Sequence, residues 1–483
     1  MKVFLILINN GPSIAPYHLG LGKMLKLEGH KVIYAFTDYL PIYTHNIDLK
    51  DECYYIFSDY FKKNYNNQNI NEKYSGINLW KTFFPDYDRN TVHHHIKTYK
   101  NDYTERLLAN LINFFDEIFR THNVDFFSFE SISNCFVYMC YEVAKQNNAQ
   151  YCGYAGSRLP NRFELWTEEF GIVEKFRNEF ESLNIEEVDK TIIKEVENYL
   201  EKYQKIIPSY HPVSHPVMAK YSFFKRYLNF EKLRLIKAAI YLNIKKRKSI
   251  KYSYEIGNPI NMLMKFFIYQ IKRRLRIFFG KYYFGKPVLG EKYILFPLNM
   301  KPESSTSVLA RHYCDDIAVI KNIAFNLPMG CKLYVKEHFV NAGNLPLKFY
   351  KELKKIPNLR LLSSNTNTRE LIQNSKALIV LTSTMGFEAL LMHKKVIVLG
   401  NVIYQCHPNC TKIKNFDELF PILNNIQDPV KDEEISKKFI AAYYKSTYEG
   451  NIYYTTYKHM EIKKFTDPFI NALKHEYVDK EVV

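Results

Sequence analysis

Ala377-Leu378-Ile379-Val380-Leu381-Thr382-Ser383-Thr384-Met385-Gly386-Phe387-Glu388-Ala389-Leu390-Leu391-Met392-His393-Lys394-Lys395-Val396-Ile397-Val398-Leu399-Gly400 decides the fold of this chain. Residues 377–381 are apolar without alternation, the pattern of a strand covered on both faces. Three small hydroxyl residues break the run, and 386–392 then has the composition of a short buried helix. Residues 396–399 make a second buried strand. A strand, helix and strand joined by such short loops close as a right-handed crossover between parallel strands. The expectation is an α/β domain, a parallel sheet covered by helices.

The alternation extends in both directions. Further strands are expected at 293–297, 332–336 and 359–362, with helices at 315–326, 346–355 and 368–374. A similar unit opens the chain: strand 3–8, a loop with Gly11, helix 17–28 and strand 32–36. Helices at 101–120 and 134–146 and strands at 125–129 and 151–154 continue it. Two Rossmann-like halves are therefore expected, over 1–215 and over 291–430. A basic helical connector over 216–290 joins them, and a helical tail over 431–483 follows. At 483 residues the chain has room for two or three domains. The first loop lacks G-x-G-x-x-G and G-x-x-x-x-G-K, which excludes the dinucleotide and P-loop readings.

Charge is distributed unevenly. The net charge is +17. Residues 218–286 hold 18 Lys and Arg against two acidic residues, Glu231 and Glu255, and so carry +16 of it. This segment interleaves its cations with aromatic residues, a composition suited to an anionic membrane surface. No DNA- or RNA-binding module is readable in it, so nucleic acid is not the expected partner. The longest apolar runs have strand length, whereas a spanning helix needs about 20 residues. Residues 3–8 are too short for the apolar core of a secretion signal. The expected location is cytoplasmic, peripheral on the inner face of the membrane. The eight cysteines are dispersed, as reduced core thiols are, and Cys406-His407-Pro408-Asn409-Cys410 lacks a second ligand cluster.

Strand ends in open α/β sheets carry the ligand chemistry. At the end of 377–381, Thr382, Ser383, Thr384, Gly386 and Glu388 open a helix, where amides and hydroxyls suit an anion and Glu388 suits sugar hydroxyls. Lys336, Glu337 and His338 end another strand, a trio suited to a phosphate leaving group. Glu303 and Ser304 follow the strand at 293–297. In the N-terminal half Glu130 follows strand 125–129 and is the candidate catalytic carboxylate, with His338 as the candidate acid or hydrogen-bond donor. Arg158 and Arg162 follow the next strand and suit a carboxylate or phosphate on the substrate. Gly11 and His18 are assigned to the same substrate side. Asp86-Tyr87-Asp88 resembles an acidic metal pair, but it lies in an irregular stretch. His93-His94-His95 point apart on a helix.

Pro302-Glu303-Ser304, Lys336-Glu337-His338, Arg369-Glu370-Leu371-Ile372 and 382–390 together resemble the capsule polysaccharide biosynthesis family, which includes bacterial Kdo transferases. The resemblance covers about 110 residues from 294 to 404 well and the N-terminal half more loosely. It implies the GT-B fold, two Rossmann-like domains facing a cleft, with a nucleotide-sugar donor and no obligatory metal or other cofactor. It also implies sugar transfer, with Kdo or another acidic sugar, CMP-linked, as the donor the family suggests and a growing glycan or glycolipid as acceptor. Related CMP-sugar transferases often show His-Pro where this chain has His338-Phe339, which leaves the donor nucleotide open. Polyol-phosphate transfer of the teichoic-acid type and a non-enzymatic role in capsule assembly or export stay open beside it.

Overall fold

The computed structural model describes residues 1–11, 14–93, 101–205, 230–450 and 463–477. In chain order the strands are β1 (Val3–Ile8), β2 (Lys31–Phe36), β3 (Cys53–Ile56), β4 (Phe126–Glu130), β5 (Gln150–Gly156), β6 (Arg162–Trp166), β7 (Tyr293–Pro297), β8 (Lys332–Lys336), β9 (Leu359–Leu362), β10 (Ala377–Val380), β11 (Val396–Val398), β12 (Cys410–Lys412) and β13 (Tyr448–Glu449). They form two sheets, each in its own compact unit.

The first unit is built from residues of 1–171, 209–268 and 447–483. Its sheet has the order β13-β6-β5-β4-β1-β2-β3. Strands β3, β2, β1, β4 and β5 are parallel, and β6 and β13 are antiparallel additions at one edge. β1 is the centre: Leu5, Ile6, Leu7 and Ile8 have no exposed surface. Full burial of such side chains stabilises by roughly 1.5–3 kcal/mol each. The order reverses between β1 and β4, so Gly11 and Glu130 stand at the switch point of this sheet.

The second unit comprises residues of 172–208 and 269–446. Its sheet, β12-β11-β10-β7-β8-β9, is parallel throughout. Counted within the unit this is the Rossmann order 3-2-1-4-5-6, with the switch point between β7 and β10. Four residues of β10, Ala377 to Val380, are fully buried, as their unbroken apolar run requires. Two Rossmann-like α/β units are the domain complement of the GT-B class.

The domain boundaries differ from the sequence expectation. The N-terminal unit ends at Gly171, not at 215, because helices Val173–Ser182 and Lys190–Lys205 pack against helix Glu433–Lys445 of the second unit. Phe176 meets Phe439 edge to face with centroids 5.3 Å apart. The connector is divided rather than separate. Helix Phe230–Lys245 belongs to the first unit, where Ala238 and Leu242 pack on Leu40 with Ile250 and Ile256. The unit boundary falls inside helix Pro259–Gly280, after Ile268. Residues 218–229 of the basic segment lie outside the described residues. The tail returns to the first unit: β13 pairs with β6, and helix Lys463–Tyr477 packs on helix Ile14–Leu27. The stretch 51–93, which has no clean period, holds β3 and helices Phe57–Lys63 and Leu79–His93. β3 is an edge strand with one buried residue, Ile56, so its pattern is weak.

Candidate functional site

Around the switch point of the second unit the polar residues converge. The loop after β7 turns through Asn299, whose Nδ2 donates to Thr382 Oγ1 at 3.0 Å. Thr382 Oγ1 in turn donates to Ser305 O at 2.8 Å. Thr382 therefore stitches the loop after β10 to the loop after β7 and is only 7% exposed. Asn341 Nδ2 donates to Asn299 O at 2.6 Å, tying in the loop after β8. Lys301 and Asp316 make a buried ion pair at 2.9 Å that anchors the loop carrying Glu303 and Ser304. Such a pair is costly to break from one side, because the remaining charge is stranded. Glu303 itself opens to solvent and accepts from Ser305 Oγ at 2.6 Å.

Lys336 ends β8 with 7% exposure, and its Nζ donates to Ser364 O at 3.0 Å. Burial lowers its pKa, while Glu337 and the buried Glu388 hold it up. Lys336 therefore feels the charge of Glu388. Glu337 points the other way, into the protein: its carboxylate accepts from Tyr350 Oη and from the His338 amide. Burial raises it to about 7. This residue braces the loop rather than facing a ligand. His338 Nδ1 accepts from Val340 N at 3.3 Å, which assigns the ring proton to Nε2. Burial, with help from Lys336, lowers its pKa to about 4. At neutral pH His338 is an uncharged Nε2–H donor.

The loop after His338 is held from behind. Arg273 Nε and Nη2 donate to Ala342 O and Val340 O, both at 2.9 Å, and Arg276 Nη1 donates to Asn344 O at 2.7 Å. Gly343, at φ +75°, is required there: a Cβ would come within 2.5 Å of Arg273 O. Two arginines of the basic segment that composition assigns to a membrane surface therefore bond to this loop. Arg274 stays on the exposed side.

In the loop after β10, Ser383 caps helix Thr384–Leu391, accepting from Met385 N at 3.2 Å. Gly386 is needed for packing: a Cβ there would come within 2.5 Å of Tyr404 Oη, which donates to Ser383 O at 2.6 Å. Thr384 is exposed at the mouth of the same turn.

In the first unit Glu130 is the last residue of β4 and half buried. Burial raises its carboxyl to about 7. Its charge is felt by Tyr17, Tyr151 and Tyr154, which surround it. A carboxyl poised near neutrality is suited to taking a proton from a hydroxyl. Gly11 donates its amide to Asn9 Oδ1 at 2.9 Å at the end of β1.

The other substrate-side expectations are corrected. His18 has no exposed surface; its Nδ1 bonds Leu7 O at 2.5 Å and its Nε2 bonds Tyr154 Oη at 3.0 Å. It is a neutral core histidine, lowered to about 4 by burial, that positions Tyr154. Arg158 faces the buried Glu164 at 3.7 Å, and Arg162 Nε donates to Thr447 Oγ1 at 2.8 Å, clipping the returning tail to β6. Neither converges on an anion site. Asp86 accepts from Cys135 N at 2.9 Å, in the first turn of helix Cys135–Gln146, which Asn134 caps. His407 Nδ1 accepts from Asn409 N at 3.0 Å and its ring packs edge-on to Phe439. All eight cysteines are free.

Sequence reasoning missed a second carboxylate cluster. Glu255 accepts from Asn10 Nδ2 at 2.7 Å and from Thr37 Oγ1 at 3.1 Å at the ends of β1 and β2. Asp38 accepts from the same Asn10 Nδ2 at 2.9 Å and from Ser253 Oγ at 2.6 Å. Only the two acids of an otherwise basic segment marked Glu255 in the sequence. Nothing there signalled its partners.

Residues 260–410 match the family described as "Capsule polysaccharide biosynthesis protein", which bears out the resemblance drawn from residues 302–304, 336–338, 369–372 and 382–390. No curated protein matches the chain. Among solved structures, the chain is similar to the β-Kdo 2,7 transferase of Thermosulfurimonas dismutans KpsC at 11% identity and TM-score 0.38, covering 83% of this chain and 98% of that one. The β-Kdo 2,4 transferase of the same protein matches at 12% identity and TM-score 0.36, covering 68% and 83%. An S. aureus MnaA–UDP co-structure matches at 9% identity and TM-score 0.28, covering 99% and 97%.

Proposed function

We propose that this chain, which carries the capsule polysaccharide biosynthesis signature over 260–410, is a glycosyltransferase. It moves a sugar from a nucleotide-activated donor to a growing surface glycan, with an acidic sugar such as Kdo as the leading candidate. The observation that carries the reading is the grouping of Lys336, Glu388 and the neutral His338 around the switch point of a Rossmann-ordered sheet. Lys336 neutralises the phosphate as the bond to the sugar breaks, and His338 Nε2–H donates a hydrogen bond to it. Glu388 accepts from ribose or sugar hydroxyls. Glu130 of the first unit takes the proton from the acceptor hydroxyl. The basic segment brings the protein to an anionic membrane surface, where a lipid-linked acceptor resides.

Thermal-shift titration of the full chain with CMP, UDP, GDP and CDP tests the donor assignment. One nucleotide is expected to raise the unfolding temperature, because a ligand at 100 times its dissociation constant stabilises by about 2.7 kcal/mol. Lys336→Ala is expected to weaken that nucleotide roughly 10- to 100-fold, the worth of a charge-assisted hydrogen bond. A folded variant with unchanged affinity would remove Lys336 from the donor site.

A further inference from the structure

Helix Pro259–Gly280 presents an apolar stripe to solvent. Ile260, Met264, Phe267, Ile271, Leu275 and Phe278 are each between 39% and 57% exposed. They fall at i, i+4, i+7, i+11, i+15 and i+18, one face of a 3.6-residue helix. Scattered exposed hydrophobics need no explanation, but a continuous stripe over 260–278, about 27 Å of helix, does. Lys272 flanks the stripe on one side and Arg274 on the other, and Lys265 lies beyond Lys272 towards the opposite face. The helix has no acidic residue. Arg273 and Arg276 lie on the opposite face, hydrogen-bonded into the loop at 340–344.

Helix Phe230–Lys245 repeats the arrangement. Leu233, Ile236, Ile240 and Ile244 are exposed at i, i+3, i+7 and i+11, while Ala238, Ala239 and Leu242 are buried. At its end Lys245, Lys246, Arg247 and Lys248 meet Lys62 and Lys63 around an open cleft of about 800 Å³ that Ile244 also lines. Apolar tip and basic rim therefore occur together on this second helix as well.

We propose that the apolar stripe of helix Pro259–Gly280 inserts into the headgroup–acyl boundary of an anionic lipid leaflet, with Lys265, Lys272 and Arg274 at headgroup depth. The proposal deepens the membrane-surface part of the function above and rests on it. Charge selects the occupant. In a symmetric pair of copies the same patch meets itself, and the bordering cations would face cations. An anionic leaflet offers the complementary charge beside an apolar interior. The helix lies in the interface rather than crossing it: no helix among the described residues is long and apolar enough to span.

The test is flotation of the full chain with vesicles of phosphatidylcholine alone and of phosphatidylcholine with phosphatidylglycerol. The chain is expected on the anionic vesicles, with part of the binding surviving raised salt. Headgroup attraction is screened over about 8 Å at physiological ionic strength, whereas inserted apolar surface is not. Phe267→Asp/Ile271→Asp/Leu275→Asp is expected to lose at least about tenfold in vesicle binding at every salt concentration, with the nucleotide thermal shift unchanged. Ile271→Trp supplies a readout that needs no loss of function: its fluorescence should shift to the blue and be quenched by lipids brominated near the top of the acyl chain. Retained vesicle binding by the triple variant, or a Trp that stays unquenched, overturns insertion while leaving electrostatic attachment standing. Absence of wild-type binding to anionic vesicles overturns both. A wild-type dimer that the triple variant converts to monomer assigns the stripe to a second copy and also overturns the proposal. Nucleotide binding, read separately, reports on the donor site alone.

Discussion

Glu130 shows how one residue's surroundings set its chemistry. Among Tyr17, Tyr151 and Tyr154 its carboxyl rises to about 7, so near neutral pH it exists in both forms. A base must be ionised to act, so transfer is expected to rise with pH along a limb centred near 7. Glu130→Gln should lower turnover by roughly 10²- to 10⁴-fold and leave the nucleotide thermal shift unchanged. A variant with wild-type turnover would sink the assignment. Glu255 carries a similar shift with a consequence for stability. Burial raises it from 4.5 to about 7, with Asp38 and Asp86 adding like charge and Arg89 and Asn10 opposing them. The folded state thus holds a proton that the unfolded chain gives up near 4.5. The stability this contributes is present at low pH and is lost as pH rises through about 7. Glu255→Gln cannot ionise, so its stability relative to wild type should climb between about pH 4.5 and 7 and level off above, by on the order of 1–3 kcal/mol in all. Parallel unfolding curves for the two proteins at both pH values would contradict the burial argument.

At the scale of elements, the helix Pro259–Gly280 and the loop after β8 act as one piece. Arg273 and Arg276 give three hydrogen bonds to the loop carbonyls of Val340, Ala342 and Asn344, and Gly343 lets the loop come close enough to receive them. The loop carries His338, so the helix holds in place the residue proposed to donate to the leaving phosphate. Arg273→Ala/Arg276→Ala is expected to weaken nucleotide binding several-fold and to destabilise by about 2–4 kcal/mol, since charged donors to partly buried carbonyls are lost. Arg274→Gln should do neither. Calorimetric titration with the nucleotide found by thermal shift separates them. Equal affinity in both variants would show that the loop keeps its geometry unaided. Sequence composition treats these arginines alike, because charge and position along a helix do not reveal which side faces a neighbouring carbonyl.

Over the whole molecule, the chain visits the first unit three times. Residues after 446 return to it, and Phe469 in helix Lys463–Tyr477 is 1% exposed against Tyr154 and Phe163. Phe469→Ala should destabilise the first unit by about 3–5 kcal/mol, visible as an earlier first transition in calorimetry, while nucleotide binding by the second unit persists. A single unshifted transition would mean that the tail is not integral to that unit. The central strands β1, β7, β8 and β10 were legible because strands buried on both faces must be apolar at every position, which leaves an unbroken mark in the sequence. The strand ends that carry Glu130, Lys336, His338 and Ser383 followed from them, since a parallel sheet has one ligand-binding edge. Strands β3, β6, β12 and β13, at or next to the sheet edges, left no such mark, because their burial comes from partners distant in the chain. The same holds for what each polar residue does. His18, Arg158 and Arg162 have the composition of substrate ligands, but their hydrogen bonds go to Leu7, Tyr154, Glu164 and Thr447. Local pattern determined where strands, switch points and basic helices lie. Only the tertiary structure decided which side chains spend their hydrogen bonds on the protein itself, because those bonds join residues up to 285 positions apart.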